Sequence, residues 1–259
     1  MEELLSKITC KEGKIWNIDS KKLADNLCYV KKGDNTFGKF ITSNVEQILT
    51  DPKIFLLRQI ASEEDILYLK KQARNKLKTS TISNYYTGKL ETADYRITQS
   101  FWMQDESDPV CRKIKAKITV ATGLTLGSSE YLQLANYGIG GYYDTHFDYG
   151  TKKDANKADE LTMTDGDRVA TFLLYMSDVP IGGKTVFHRL GLAVHPSKRD
   201  ALFWYNLFPD ETGDARMRHI ACPIALGTKW VGTFWIRARG EERSVPCDIK
   251  QMKWNLDVQ

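Results

Sequence analysis

The pattern of hydrophobic and polar positions predicts two amphipathic helices in the first half of the chain. Ser62 is a suitable helix N-cap, and Asp65 stands three positions later, where it can complete a capping box. Apolar residues then recur at helical spacing, at Ile66, Leu69, Ala73 and Leu77. A second helix is predicted to begin at Asp108-Pro109 and to end at Gly123, and its buried side carries Val110, Ile114 and Ile118.

The second half of the chain changes to short apolar segments separated by turns rich in Gly, Pro and Asp. The predicted strands span residues 131–137, 145–149, 168–176, 184–187, 192–195, 201–206, 218–226 and 228–238. These short strands, which follow the two helices, predict an α+β fold. Its core is a jelly-roll barrel that the helices support from outside.

The chain is predicted to have two parts of unequal size. Residues 1–50 are polar and show no clear amphipathic period, so we expect an N-terminal extension that packs on the core. Asp51-Pro52 marks its end, and residues 51–259 form the main domain. Within that domain, the polar stretches 79–92 and 152–167 have the composition of mobile loops at the mouth of the barrel.

Composition narrows the possible classes of protein. The 37 basic and 33 acidic side chains leave a net charge of +4, which is too small to indicate nucleic-acid binding. No apolar run approaches the ~20 residues of a membrane span, and the first residues do not resemble a secretory signal. The five cysteines fit no C-x-x-C motif, so two disulfides with one spare thiol and five reduced thiols both stay open.

Candidate metal chemistry lies at the end of the stretch YGIGGYYDTHFD, residues 137–148. His146 and Asp148 are two apart, and such side chains project from the same face of an extended strand. A non-haem Fe(II) site needs two histidines and one carboxylate on one face, with the other positions open. The third ligand must come from His188, His195 or His219, and His219 begins a predicted strand that can return to this face.

Lys229 is a candidate anion ligand at the start of the last predicted strand. It has the same strand parity as Val231, Thr233 and Trp235, so it lies on their face. A lysine inside a barrel is costly unless it meets an anion, and a dicarboxylate such as 2-oxoglutarate would supply one. The alternative is a lysine whose amine reaches solvent from the strand end, which parity alone favours.

Four long segments carry a resemblance to a known family: LQLANYGIGGYYDTHFDYG, RVATFLLYMSDVPIGGKTVF, ALFWYNLF and RHIACPIALGTKWVGTFWIRARG. From about Cys10 to Cys247 the chain resembles the catalytic region of the collagen prolyl 4-hydroxylase α subunit, a family of Fe(II)- and 2-oxoglutarate-dependent dioxygenases. The resemblance implies a double-stranded β-helix core. It also implies hydroxylation of peptidyl proline at C4 in collagen-like sequences, with release of succinate and CO2.

The resemblance assigns a role to each candidate residue. It makes His146, Asp148 and His219 the iron ligands, and gives no metal role to His188 or His195. The distal carboxylate of 2-oxoglutarate is assigned to Lys229, Thr171 and Tyr137. The proline pocket is assigned to Tyr143 and Trp235. Two disulfides are implied, Cys10–Cys28 and Cys222–Cys247, which leaves Cys111 as a free thiol.

The resemblance further implies O2 and ascorbate as co-reactants, a proline-rich peptide substrate, and the endoplasmic reticulum lumen as compartment. A protein disulfide isomerase β subunit is a possible partner, and neither nucleic acid nor membrane is expected. Two other functions stay open. One is a related 2-oxoglutarate dioxygenase that acts on another residue or protein, and the second is a non-catalytic jelly-roll binding subunit.

Overall fold

The computed structural model describes residues 8–11, 23–33, 38–83, 90–150, 160–242 and 244–245. Its helices are α1 (Glu63–Ala73), α2 (Pro109–Thr122) and α3 (Glu160–Asp165). Its strands, in chain order, are β1 (Leu23–Lys32), β2 (Thr42–Thr50), β3 (Lys53–Arg58), β4 (Lys78–Thr79), β5 (Ile82–Ser83), β6 (Leu90–Glu91), β7 (Arg96–Ile97), β8 (Gln99–Met103), β9 (Leu132–Tyr137), β10 (Tyr142–His146), β11 (Arg168–Tyr175), β12 (Ile181–Gly182), β13 (Thr185–Phe187), β14 (Leu192–Val194), β15 (Ala201–Tyr205), β16 (His219–Ala221), β17 (Ile224–Leu226) and β18 (Lys229–Arg237).

Two antiparallel sheets face each other and form the barrel. The larger sheet has nine strands in the order β1-β2-β3-β15-β11-β18-β9-β8-β4, and the smaller has five in the order β14-β13-β16-β10-β7. Two further strand pairs, β12 with β17 and β5 with β6, stand beside them. The structure therefore confirms the predicted α+β class with a barrel core.

Both faces of the larger sheet are covered, and strand parity decides which residues face which side. On β11, Phe172 and Leu174 belong to the apolar cluster that includes α1 and α2. Leu173 and Tyr175 instead belong to the cluster between the two sheets, which includes Phe187 of the smaller sheet. Side chains along β11 thus alternate between the helix side and the barrel interior, as a period of two requires.

The two predicted helices are present and have the predicted caps. Ser62 accepts a hydrogen bond from the Asp65 backbone while the Asp65 side chain accepts one from the Ser62 backbone, which completes the capping box of α1. At the end of α2, Gly123 takes the left-handed conformation with φ +83°. Buried apolar side chains attach both helices to the larger sheet and each contributes roughly 1.5–3 kcal/mol of transfer free energy; they include Ile66, Leu69, Ile114 and Ile118.

Residues 1–50 showed no amphipathic period, yet they form two strands where this part is described. Strands β1 and β2 extend the larger sheet at its edge, and Val45 and Leu49 pack into the two apolar clusters. β1 is the edge strand, and it exposes Leu27, Tyr29 and Val30 on both of its faces, so burial imposes no alternation on its sequence. That is why the hydrophobic pattern of this segment showed no strand.

The predicted strand 218–226 is two strands that separate at Pro223. Proline has no N–H to donate to a sheet, so the ladder is interrupted there. β16 pairs with β10 and β13 in the smaller sheet, whereas β17 pairs with β12.

Both disulfide pairings implied by the resemblance are wrong in this structure, because Cys10 is bonded to Cys222. The helical turn of residues 8–11 packs beside β16, and the two Cα atoms are 5.6 Å apart. Cys28 is an exposed free thiol, and Cys111 is a buried free thiol as expected. Cys247 lies outside the described residues. Proximity in the fold, rather than in sequence, determines the bond.

Residues 84–89 and 151–159, which belong to the two stretches predicted to be mobile loops, lie outside the described residues. The short strands β5 and β6 pair on either side of the first gap, and α3 follows the second. Among the helices within the described ranges, none has the length and apolar character that a membrane crossing requires.

Candidate active site

A glycine-rich turn carries the chain from the larger sheet to the smaller one, between β9 and β10. Gly140 has φ +78°, a conformation that favours glycine. Gly141 is tightly packed, since a Cβ there would lie 2.9 Å from the Gly138 carbonyl oxygen and 3.0 Å from that of Ile97. The turn thereby directs β10, which contains His146, across the mouth of the barrel.

Three side chains converge at this mouth in the arrangement of a metal site. His146 on β10 is the register partner of His219 on β16, and Asp148 follows β10. Their potential ligand atoms all lie within 4.8 Å of one another. His146 Nε2 is 3.6 Å from Asp148 Oδ1, and His219 Nε2 is 3.8 Å from Oδ2. Across the described ranges, no other cluster of His, Cys, Asp or Glu meets this condition.

Hydrogen bonds to the backbone fix the orientation of both imidazoles. His146 Nδ1 is 2.7 Å from the carbonyl oxygen of Asp144, and His219 Nδ1 is 2.9 Å from that of Met217. A carbonyl oxygen only accepts, so each Nδ1 carries the hydrogen. Each Nε2 lone pair is therefore free to bind a metal, the usual arrangement for ligating histidine.

The protonation states of the cluster also suit a cation. Burial, and next the neighbouring His219, lower the pKa of His146 to about 3, so its ring is a neutral ligand at neutral pH. Burial alone would raise the pKa of Asp148, but His219, His146 and Arg168 together with the Thr171 hydrogen bond outweigh it and lower that pKa. The cluster thus offers the neutral ring of His146, Nε2 of His219 and one carboxylate.

Thr171 supports the carboxylate from the adjacent wall of β11. Its hydroxyl Oγ1 donates to Asp148 Oδ2 at 2.7 Å. The resemblance assigned this threonine to 2-oxoglutarate, yet its one proton is directed at Asp148. Asn206, which the sequence reasoning missed, donates in turn to Thr171 Oγ1 at 2.9 Å.

Lys229 lies deeper in the same pocket and is 1% exposed. Its Nζ donates to Thr185 Oγ1 at 3.4 Å, and it has no ion-pair partner among the described residues. Burial lowers the pKa of this lysine to about 7. The solvent-reaching alternative is therefore wrong, and an unpaired buried cation of this kind suits an anionic ligand.

Two aromatic residues flank the cluster, as the resemblance implied. The ring of Tyr143 stacks on His146 with centroids 3.6 Å apart. Trp235 lies on β18, and its indole Nε1 has no hydrogen-bond partner among the described residues. The guanidinium of Arg96 lies over the Tyr143 ring at 4.7 Å, and that of Arg168 lies over Trp235 at 4.1 Å. Sequence reasoning missed both arginines, because contacts between strands leave no periodic signal.

Comparison with known proteins agrees with this geometry. Residues 132–237 match the model of the family described as the 2OG-Fe(II) oxygenase superfamily, and they include all three clustered ligands. These residues form a 2OG-Fe(II) oxygenase domain. The resemblance inferred from sequence is thereby confirmed.

The relatives of this oxygenase domain are prolyl 4-hydroxylase subunits. The chain is 44% identical to prolyl 4-hydroxylase subunit alpha-2 of Caenorhabditis elegans over 92% of its own length and 44% of the relative's. It is also 44% identical to subunit alpha-1 of Homo sapiens, over 78% of its own length and 38% of the relative's. The chain thus spans less than half the length of these curated relatives.

The fold of the oxygenase domain also resembles a solved structure. This is the viral collagen prolyl hydroxylase of Paramecium Bursaria Chlorella virus-1, as a 2OG complex. The TM-score is 0.57 at 21% identity, and the match covers 71% of this chain and 96% of that one. At this identity the likeness shows the double-stranded β-helix fold alone.

The residues of the oxygenase domain fit both groups in the superfamily's description. Two imidazoles and one carboxylate on one side of a pocket suit Fe(II) and leave the remaining positions open. The buried cation of Lys229 in the same pocket suits a carboxylate of 2-oxoglutarate.

Proposed function

We propose that the chain is a prolyl 4-hydroxylase that acts on collagen-like peptides and consumes 2-oxoglutarate and O2. The observation that carries the proposal is the His146–Asp148–His219 cluster in one pocket with the unpaired Lys229. The identity to prolyl 4-hydroxylase subunits supports the substrate class. This combination disfavours a non-catalytic binding subunit, which has no need of a metal cluster or a buried cation.

His146, Asp148 and His219 hold the iron in this proposal. Bound Fe(II) supplies the oxidative chemistry, in which 2-oxoglutarate and O2 are converted to succinate, CO2 and an oxygen atom for the substrate. The protein keeps both Nε2 lone pairs directed at the iron, because each Nδ1 hydrogen is engaged by a carbonyl. Preset ligands require no reorganisation when substrate binds.

The far carboxylate of 2-oxoglutarate is held by Lys229. Tyr137 is its register partner on β9, and burial raises the pKa of this tyrosine, which stays a hydrogen-bond donor. Thr185 already contacts the lysine amine. Thr171 lines the same pocket, but its proton is directed at Asp148 and not at the ligand.

The peptide lies against Tyr143 and Trp235. A proline-rich chain in the polyproline II conformation offers ring faces and unpaired carbonyl oxygens, and aromatic walls suit the rings. The Trp235 indole is 8% exposed, and its N–H has no acceptor within the described part of the protein.

Peptide-dependent turnover tests the proposal. Succinate release from the iron-loaded protein should be slow with 2-oxoglutarate alone and should rise strongly with a Pro-Pro-Gly repeat peptide. Mass spectrometry with NMR should locate the new hydroxyl at C4 of proline. Succinate release that no proline-rich peptide stimulates would favour a dioxygenase with another substrate. A protein that binds iron but never forms succinate would favour the binding subunit.

Other features of the relatives extend the proposal. Their names describe α subunits, so we propose a protein disulfide isomerase-type β subunit as partner. The Cys10–Cys222 disulfide is compatible with the endoplasmic reticulum lumen, where such bonds persist. Ascorbate is proposed as the reductant that restores Fe(II) after unproductive turnover.

A further inference from the structure

A fully buried amide side chain, that of Asn206, lies behind the metal cluster. Asn206 follows β15 and is 0% exposed. Its Nδ2 donates to Thr171 Oγ1 at 2.9 Å, and its Oδ1 accepts from the indole Nε1 of Trp204 at 2.8 Å. Thr171 and Trp204 are register partners on the neighbouring strands β11 and β15. A chain of three hydrogen bonds therefore runs from Trp204 through Asn206 and Thr171 to Asp148.

The chemistry of the donors sets the direction of every bond in this chain. An indole N–H can only donate, so the oxygen of the Asn206 amide must face Trp204 and its NH2 must face Thr171. The hydroxyl of Thr171 then accepts from Asn206. Its single proton is left for Asp148 Oδ2, 2.7 Å away. If the Asn206 amide were flipped, its NH2 would face the indole N–H, so only one orientation of the amide satisfies every donor and acceptor in this chain of hydrogen bonds.

The backbone holds Asn206 in this position from both sides. Its N–H donates to the Val169 carbonyl at 2.8 Å, and its own carbonyl accepts from the N–H of Asp214 at 2.9 Å. Only the side-chain torsions remain free, and the bond to Trp204 restrains those. Asn206 is therefore a rigid anchor rather than an adaptable one.

The consequence is an asymmetric carboxylate at Asp148. Both oxygens face a ligand histidine, Oδ1 at 3.6 Å from His146 Nε2 and Oδ2 at 3.8 Å from His219 Nε2, but only Oδ2 receives the Thr171 proton. We propose that Asn206 is a positioning residue for the metal: it fixes the Thr171 proton on Oδ2 so that Asp148 presents Oδ1 to the ion. Mutation of a residue that hydrogen-bonds to a metal ligand commonly changes the affinity for the metal by roughly 10–100-fold. This inference rests on the metal site of the proposed function but not on its peptide substrate.

Cobalt(II) binding to the metal-free protein tests this role without turnover, with visible absorption as the signal. Asn206→Leu removes both hydrogen bonds of the side-chain amide and keeps a similar side-chain volume. Thr171→Val removes the hydroxyl. We expect each to weaken Co(II) binding by roughly 10–100-fold and to change the band positions. Thr171→Ser, which keeps the hydroxyl, should restore both. The double variant should be no weaker than either single one, because the two residues form one chain.

Glu241→Gln serves as the matched control. Glu241 is 1% exposed and accepts hydrogen bonds from Thr125 and Leu126, outside the pocket. It should lose thermal stability and keep the wild-type Co(II) affinity and spectrum.

Asn206→Asp decides the question if Asn206→Leu fails to fold. Its carboxylate can accept from Trp204 but has no N–H, so the Thr171 hydroxyl turns to it and leaves Asp148. A wild-type affinity and spectrum in a folded Asn206 variant would overturn the inference. A wild-type protein that binds no Co(II) would instead remove the metal site itself and with it the proposed function. Normal Co(II) binding without peptide hydroxylation would affect only the substrate assignment.

Discussion

At the scale of single residues, burial lowers the pKa of both His146 and Lys229, with different consequences. The imidazole becomes neutral and keeps a lone pair for a metal, whereas the amine is held near its titration point until an anion arrives. A buried amine without an anion is costly whenever it is charged. The proposed function therefore uses two side chains whose pKa values are lowered by burial.

The metal cluster is the first feature to test. His146→Ala, Asp148→Ala and His219→Ala should each reduce succinate release to background, because one of three protein ligands is lost. The measurement is turnover with added iron, together with bound iron per protein. His195→Ala, an exposed histidine, is the control and should be near normal. Substantial activity in any of the three variants would remove that residue from the cluster.

Lys229→Ala should raise the 2-oxoglutarate concentration needed for turnover. The substitution leaves a buried carboxylate unpaired, which costs roughly 3–5 kcal/mol of binding free energy. Lys229→Arg should rescue only part of this loss, since the guanidinium is larger and differs in geometry. Apparent KM for 2-oxoglutarate checks both variants. A wild-type KM in the alanine variant would contradict the assignment.

The pH dependence of 2-oxoglutarate binding follows from the same lysine. Burial lowers its pKa in the empty pocket to about 7, so above that pH the amine is neutral and must take up a proton to pair with the ligand. The apparent Kd should therefore rise up to tenfold per pH unit above about 7. Calorimetry in buffers of different ionisation enthalpy would detect the proton. The Lys229→Arg variant stays charged, so its apparent Kd for 2-oxoglutarate should not change with pH in this way. If both proteins show the same pH dependence, a group other than Lys229 is responsible for it.

At the scale of elements, the turn between β9 and β10 sets the position of the site. Gly141→Ala should lower the free energy of unfolding by about 1–3 kcal/mol and reduce turnover, because its Cβ meets the Gly138 carbonyl at 2.9 Å and must push β10 aside. Gly138→Ala is the matched control, since its Cβ meets nothing within 4 Å. Denaturant unfolding and succinate release measure the difference. Equal behaviour of the two variants would mean that the turn tolerates the extra atom.

At the scale of the whole molecule, the Cys10–Cys222 disulfide joins the helical turn of residues 8–11 to the residue that directly follows β16. Its sequence separation of 212 residues restricts the unfolded chain. Cys10→Ser and Cys222→Ser should each lower the free energy of unfolding by about 2–5 kcal/mol. Cys28→Ser, which removes an exposed free thiol, should change it little. Non-reducing peptide mapping checks the bond itself, and a Cys10–Cys28 linkage would contradict it.

Sequence alone determined the features that depend on short-range spacing. The helix boundaries at Ser62 and Gly123 follow from capping chemistry within a few residues. The two-residue separation of His146 and Asp148 predicted that both belong to one site, although Asp148 lies beyond the end of β10. The face that Lys229 shares with Val231 and Thr233 follows from the two-residue period of a strand, but parity did not decide between the pocket and solvent for its amine. These rules involve residues that are close in the chain, so the features can be predicted from the sequence.

Only the tertiary structure decided the features that depend on sheet register and on contacts between distant segments. The pairing of Cys10 with Cys222, and the membership of β1 and β2 in the larger sheet, depend on how remote segments dock. The bonds from Trp204 through Asn206 to Thr171 require β15 to lie beside β11 in one register. A shift of one residue would turn these side chains to the other face, and nothing in the local sequence records which register the sheet adopts.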